Sequence, residues 1–171
     1  MKKFELTSET KINIFGKKLF RIKALVSFGV VKTGETGGWV EKEENVNQSG
    51  DAWVFGNAEV FGNARVSGDA RVSGDAWVFG NAEVFGNAEV FGNAEVSGNA
   101  DYTTIHGFGT QFRTTTFFRC KDKQVKVSCG CFYGTIPEFR EQVKNTRDGK
   151  IAEEYLMIAD LMEKHFAEEA K

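Results

Sequence analysis

One proline, two histidines and three cysteines in 171 residues are the scarcities that first restrict the reading. Three cysteines are too few, and odd in number, for a disulfide framework, which predicts reduced thiols and a cytoplasmic protein. No run approaches the roughly 18 apolar residues of a membrane span. Met1-Lys2-Lys3-Phe4-Glu5-Leu6 lacks the apolar core of a secretion signal, so no membrane is expected as a partner. A dominant charge is also missing, since the net value is −2. That sum hides three unlike parts: +6 over residues 1–34, −9 over 35–101 and +1 over 102–171. Binders of duplex nucleic acid carry a basic stripe, and the regular centre here is acidic, which argues against nucleic acid. The basic N-terminal segment is expected to complement that acidic centre, within the chain or across subunits. With 41% hydrophobic and 27% charged residues the chain has the material for a folded, soluble protein.

Nineteen glycines stand against the single proline, and a repeat accounts for them. From Gly50 the sequence recurs every six residues, Gly50-Asp51-Ala52-Trp53-Val54-Phe55 and then Gly56-Asn57-Ala58-Glu59-Val60-Phe61, on to Gly98-Asn99-Ala100-Asp101-Tyr102-Thr103. A helix of 3.6 residues per turn would scatter the Ala/Val pair around its circumference. The local order Ala, variable, Val alternates with period two, so Ala and Val share one face of a short strand. Gly followed by Asn or Asp supplies a corner that tolerates positive φ. Short strand and sharp corner in succession wind the chain into a parallel β-helix. The hexads resemble those of the left-handed hexapeptide β-helix, a triangular prism with three hexads per coil. That resemblance alone supplies the handedness, and it implies trimers. The glycine falls one place later here than in the usual hexad of that family.

With 18 residues per coil, nine hexads make three coils, about 14 Å tall at roughly 4.8 Å per rung. Face one then stacks Trp53, Arg71 and Glu89; face two Glu59, Trp77 and Glu95; face three Arg65, Glu83 and Asp101. Arg71 over Glu89 and Arg65 over Glu83 are opposite-charge neighbours. Phe55 and Phe91 occupy corner one, Phe61 and Phe79 corner two, and Phe85 corner three. Face two, with Trp77 at its centre and four phenylalanines at its borders, exceeds an ordinary apolar patch if bare. Phe55, Phe61, Trp77, Phe79 and Phe91 are therefore expected to pack on another surface, either a symmetry mate in a homotrimer or the chain's own C-terminal segment. The alternative is that the rings fold back over their own prism. An Ala/Val interior is thin: eight valines at about 1.5–3 kcal/mol each do not offset the ordering of the coil, so caps are required.

The flanks supply them. Residues 11–31 read as strands around Gly16-Lys17. Val40 and Val46, six apart, read as an imperfect first coil with a two-residue insertion at residues 47–49. After Tyr102 the repeat stops; residues 112–120 and 124–133 read as two strands. Thr135-Ile136-Pro137-Glu138 is a capping box that starts a helix with Ile136, Phe139 and Val143 on one side. A second helix after Asp148-Gly149 carries Ile151, Tyr155, Ile158, Leu161, Met162 and Phe166 on one stripe. The expected fold is mainly β: an N-terminal β cap over residues 1–38, a left-handed parallel β-helix over 39–103, and a C-terminal ββαα appendage over 104–171.

Gly37-Gly38-Trp39-Val40-Glu41 with Glu43-Glu44-Asn45, the Gly-Asn-Ala-x-Val run and Cys129-Gly130-Cys131-Phe132 resemble a group of phage and prophage proteins. The resemblance covers most of the chain beyond about residue 20. It implies a phage-encoded protein acting in the host cytoplasm and passes on no active site. Hexapeptide acyltransferases use a histidine base at the subunit groove. Here His106 follows the last hexad and is the one candidate for that role, while His165 lies beside the apolar stripe of the last helix. Cys120, Cys129 and Cys131 with His106 have the composition of a Cys₃His zinc site. Alternation on one strand with Val125 and Val127 instead makes Cys129 and Cys131 small core residues, and no metal or cofactor is expected. Trp53 and Trp77 with Arg65, Arg71, Arg113 and Arg119 offer stacking surfaces and anion-pairing forks for a small nucleotide-like ligand. The expectation is a non-enzymatic, oligomeric binding protein that sequesters a small host signalling nucleotide. An acyltransferase or a module that binds a host protein is the alternative.

Overall fold

Alternation within each hexad does what its period demands: every Ala of the repeat from Ala52 to Ala94 and every Val from Val54 to Val96 is buried. The computed structural model describes residues 1–167. Strands β4 to β11 are the two-residue pairs Trp53–Val54, Glu59–Val60, Arg65–Val66, Arg71–Val72, Trp77–Val78, Glu83–Val84, Glu89–Val90 and Glu95–Val96. They pair in parallel with the strand three places on, Trp53 beside Arg71 and Arg71 beside Glu89, so one turn of the solenoid takes 18 residues. Trp39 pairs with Glu59 and Val46 with Val66, an offset of 20, which places two extra residues between Val46 and Trp53. About three turns result, a three-sided β-solenoid. The ninth hexad adds no rung: Asn99–Asp101 forms a 3-10 turn and Tyr102 opens an antiparallel sheet. Arg71 over Glu89 and Arg65 over Glu83 are neighbours in register. Neither closes into an ion pair among the described residues; Glu89 instead accepts from the Ser128 hydroxyl at 3.3 Å.

The N-terminal end is closed by an antiparallel hairpin, β1 (Phe4–Ile12) and β2 (Lys18–Ala24), which pairs onto β3 (Thr36–Val40) and so extends the face-two sheet. Open rungs invite edge pairing, and a reversed strand ends the ladder. Phe4, Ile22, Ala24 and Val31 join the solenoid core there, around a fully buried Trp53. Gly37 and Gly38 explain the double glycine: a Cβ on the first would lie 2.6 Å from the Trp53 ring and on the second 2.6 Å from Val54. Lys2 meets Glu43 at 2.9 Å, Lys11 meets Glu59 at 2.7 Å and Lys17 meets Glu41 at 3.3 Å. The basic segment thus complements the acidic solenoid within one chain.

The hairpin also corrects the account of the face-two rings. Phe15, on the β1–β2 turn, packs on Phe61 (5.3 Å), Trp77 (5.4 Å) and Phe79 (5.3 Å), while Phe61 and Phe79 stack at 5.1 Å. Lys121 also stands 3.4 Å from the centre of the Trp77 ring and donates to the Asp75 carbonyl at 2.6 Å. Within the chain, the N-terminal hairpin rather than mainly the C-terminal segment provides the apolar cover of Phe61, Trp77 and Phe79. Phe91 is covered as well, against Phe118 and Tyr133.

Lys3 makes the N-terminal closure sensitive to pH. It is buried, and its ammonium donates to the carbonyls of Ala52 (2.8 Å) and Gly50 (3.2 Å). Desolvation pushes it down to about 8, against the opposing pull of Asp51. A lysine with a lowered folded pKa weakens the fold while protonated, and the penalty is relieved as pH rises from about 8 toward 10.5. The Tm gap between the parent chain and Lys3→Met is therefore expected to shift in the parent's favour between about pH 7 and 10. A gap independent of pH would refute this. Cys120, pushed up to about 12 by burial, acts with the opposite sign above its ordinary value, but equally in both proteins.

At the other end Tyr102, Phe118 and Cys120 plug the core, and the Tyr102 hydroxyl donates to the Glu83 carbonyl. The strands that follow number four, not two: β12 (Tyr102–Phe108), β13 (Arg113–Arg119), β14 (Val125–Cys129) and β15 (Phe132–Thr135) form an antiparallel meander. The span read as one strand over residues 124–133 is broken by a turn at Gly130, whose φ of +61° a β-strand does not accommodate. Helix α1 (Ile136–Thr146) starts at the capping box: Thr135 accepts from the Glu138 N–H, and the Glu138 carboxylate accepts from the Thr135 N–H. Helix α2 (Gly149–Phe166) buries Tyr155, Ile158, Ala159, Met162 and Phe166. Leu161, assigned to that stripe, is 59% exposed because the sheet and α1 cover one side of α2 only. Arg140 clasps the helices through Asp160 (2.8 Å) and Glu163 (2.6 Å). No helix among the described residues is long and apolar enough to cross a membrane.

Candidate functional site

The six residues expected to hold a ligand do not come together. Trp53 is fully buried under Phe4 (5.8 Å) and Phe28 (5.3 Å), which removes it from every surface. Trp77 packs against Phe15 and Lys121. Arg119 pairs with Asp101 at 3.4 Å, donates to the Phe166 carbonyl at 3.0 Å and stacks on the Phe166 ring, fastening β13 to the end of α2. Arg71 lies in a shallow face-one groove with Phe55, Glu89 and Phe91. Arg65 lies in another on face three, with Glu44, Glu83 and Phe85. Both grooves set a carboxylate beside their arginine. His106 is exposed on β12. Among the described residues no three or more His, Cys, Asp and Glu cluster as metal ligands, and Cys120 lies in the solenoid plug, apart from Cys129 in the second core.

Arg119 lines a small pocket of about 90 Å³ together with Glu95 and Asp101, whereas Arg113 lines one at the end of the meander that holds no acid, and the meander explains why it exists there. Alternate turns of a meander fall at the same end, so the turns after β12 and after β14 lie side by side. Helix α1 runs back along the sheet, and its last turn arrives at that end. The result is a pocket of about 130 Å³ lined by Gln111 and Arg113, by Cys129 and Cys131, by Thr146 and Arg147, and by an aromatic wall of Phe108, Phe132, Phe139 and Tyr155. No aspartate, glutamate or histidine is among its lining residues.

Each polar group is positioned from behind. The Tyr155 hydroxyl donates to the Phe108 carbonyl at 3.2 Å, and a Cβ on Gly109 would come 2.6 Å from that hydroxyl, which fixes the first turn against α2. The Thr115 hydroxyl donates to Cys129 Sγ at 3.1 Å. Arg113 donates to Gln111, and its guanidinium lies so close on Gly130 that a Cβ there would run into it. Arg147 donates to the Thr146 carbonyl at 2.9 Å at the end of α1. Burial pushes the Tyr155 phenol above its ordinary range, the Cys129 thiol adds to this, and Arg147 and Arg113 oppose it. Both guanidinium groups are thus within electrostatic reach of one buried hydroxyl.

Sequence reasoning missed Arg147, Tyr155 and the pocket role of the two thiols. The available signal was the spacing of Gly109 and Gly130, two turn glycines separated by one up-and-down pair of strands. Fourteen lining residues that carry two arginines and no acid, in a chain of net charge −2, form a local site for negative charge. No family model matches the chain, and no curated protein matches it either.

Proposed function

We propose that the protein is a non-enzymatic binding protein that takes the anionic group of a small ligand into the pocket between Arg113 and Arg147. The observation that carries this reading is the pairing of two guanidinium groups with an acid-free, aromatic-walled lining. Guanidinium forks hold phosphate and carboxylate through charge-assisted, bidentate hydrogen bonds. Size restricts the ligand: about 130 Å³ is room for a phosphate group or a small carboxylate, since a water in the liquid takes roughly 30 Å³. A nucleotide would insert its phosphate and leave its base outside. With the resemblance to phage proteins, the ligand is read as a phosphorylated signal of the host, held away from its receptor in the host cytoplasm. The homotrimer implied by the hexapeptide resemblance would find a further apolar surface at the corner-three ring of Phe85, which is 59% exposed.

Calorimetric titration with inorganic phosphate, ADP and acetyl-CoA tests the reading. Phosphate and ADP are expected to bind, and Arg113→Ala to weaken both by about 10- to 150-fold, the equivalent of about 1.5–3 kcal/mol for hydrogen bonds to a charged group. Binding of acetyl-CoA alone, or affinities unchanged in both Arg113→Ala and Arg147→Ala, would overturn it.

A further inference from the structure

Cys129 and Cys131 flank Gly130 at the lip of this pocket, and both line it. Cys129 ends β14 and pairs with Phe132, the first residue of β15, so Gly130 and Cys131 form a two-residue turn. Two consecutive Cα–Cα steps of 3.80 Å, folded at such a turn, leave the cysteine Cα atoms roughly 5.5 Å apart. That lies inside the span a disulfide bridges, about 4.4–6.8 Å. The glycine between them, at φ +61°, carries no side chain to obstruct closure.

The surroundings of the two thiols divide the labour. Cys129 is half-buried, accepts from Thr115 and faces a lining with two arginines and no carboxylate. The hydroxyl that donates to its sulfur orients Cys129 toward the pocket, and a thiol acts as nucleophile in its thiolate form. Cys131 is exposed beside it, the arrangement of a resolving thiol. Cys120 is an internal control, since it is buried in the solenoid plug with its thiol pushed up to about 12.

We infer that Cys129 and Cys131 form a redox-modifiable dithiol, closed to an intrachain disulfide by hydroperoxides, and that closure displaces Arg113 and releases the bound anion. In the first step the Cys129 thiolate attacks the outer peroxide oxygen. The O–O bond breaks, the sulfur becomes a sulfenic acid, and hydroxide leaves with the electron pair. The Cys131 thiol then attacks that sulfur and expels water. Two thiols and one hydrogen peroxide give one disulfide and two waters, and a small dithiol reverses the change. The link to binding is Gly130, against which the Arg113 guanidinium packs. Drawing the two sulfurs together moves this backbone and the guanidinium on it. The second half of the inference rests on the proposed anion site; the first does not.

Peptide mapping of the full chain after hydrogen peroxide tests the chemistry. The tryptic peptide 127–140 is expected to become lighter by two hydrogen atoms, to resist alkylation and to recover with dithiothreitol, while Cys120 stays alkylatable. In Cys131→Ser, dimedone is expected to trap a sulfenic acid on Cys129. Free thiols at both positions, a disulfide between chains, or no dimedone adduct would overturn the dithiol. Titration of the oxidised chain with inorganic phosphate reads the coupling: binding at least tenfold weaker supports it, and equal binding overturns it. Should phosphate bind neither form, the anion site fails while the mass result still decides the dithiol.

Discussion

Trp53→Ala is expected to lower stability by about 3–5 kcal/mol, the usual cost of emptying a fully buried aromatic site. For a chain of this size that corresponds to a fall in Tm of roughly 6–20 °C in a thermal melt. The ring holds the N-terminal hairpin to the solenoid through edge contacts with Phe4 and Phe28, and Gly37 has no side chain because the indole lies against it. The indole N–H is buried and finds no hydrogen-bond partner among the described residues. Trp53→Phe keeps an aromatic ring and removes that orphaned donor, so its loss is expected to be the smaller. Phe85→Ala, at an exposed corner, is the reference and is expected to stay within about 0.5 kcal/mol. Equal effects for Trp53→Ala and Phe85→Ala would show that the cap does not depend on the buried indole.

The second large effect lies at a corner. Gly74 adopts φ +67°, and a Cβ there would sit 2.9 Å from the Gly92 nitrogen and 3.0 Å from its oxygen. These are backbone atoms of the next rung, and Asp75 donates to that same Gly92 oxygen at 2.9 Å. Relief of the clash would open the ladder. Gly86 has nearly the same φ, +65°, and open space at the Cβ position. Gly86→Ala therefore isolates the left-handed backbone penalty of about 1–2 kcal/mol, whereas Gly74→Ala adds the clash and should reach about 3 kcal/mol. In melts the two are expected to separate by several degrees. Identical shifts would place the whole cost in φ and none in the stacking of corners.

The solenoid was legible because one short-range rule writes its core: Ala and Val two apart, then a corner, with nothing else required to assign inside and outside. What covers the outside was not legible. Trp53 and Trp77 occupy the same hexad slot, yet one is sealed by Phe4 and Phe28 and the other only flanked by Phe15 and Lys121. That difference comes from aperiodic segments far away in the chain, which leave no mark on the hexad itself. The candidate pocket was hidden for a related reason. Arg113 was picked out for its chemistry, but Arg147 reaches the same pocket only because a meander and a returning helix end together. Cys129 and Cys131 were assigned to one strand face because alternation was continued across Gly130, where the chain in fact reverses.

The three-sided cross-section has a last consequence for length variants. Each hexad carries the chain one third of a revolution around the axis, so loss of a single hexad would rotate everything after it onto the neighbouring side. Loss of a hexad after Trp77 would carry Lys121 away from that ring, and loss of any one would point the helices in a new direction relative to the amino-terminal hairpin. Only removal or addition of three hexads together restores the orientation, which makes this rod a spacer adjustable in whole turns.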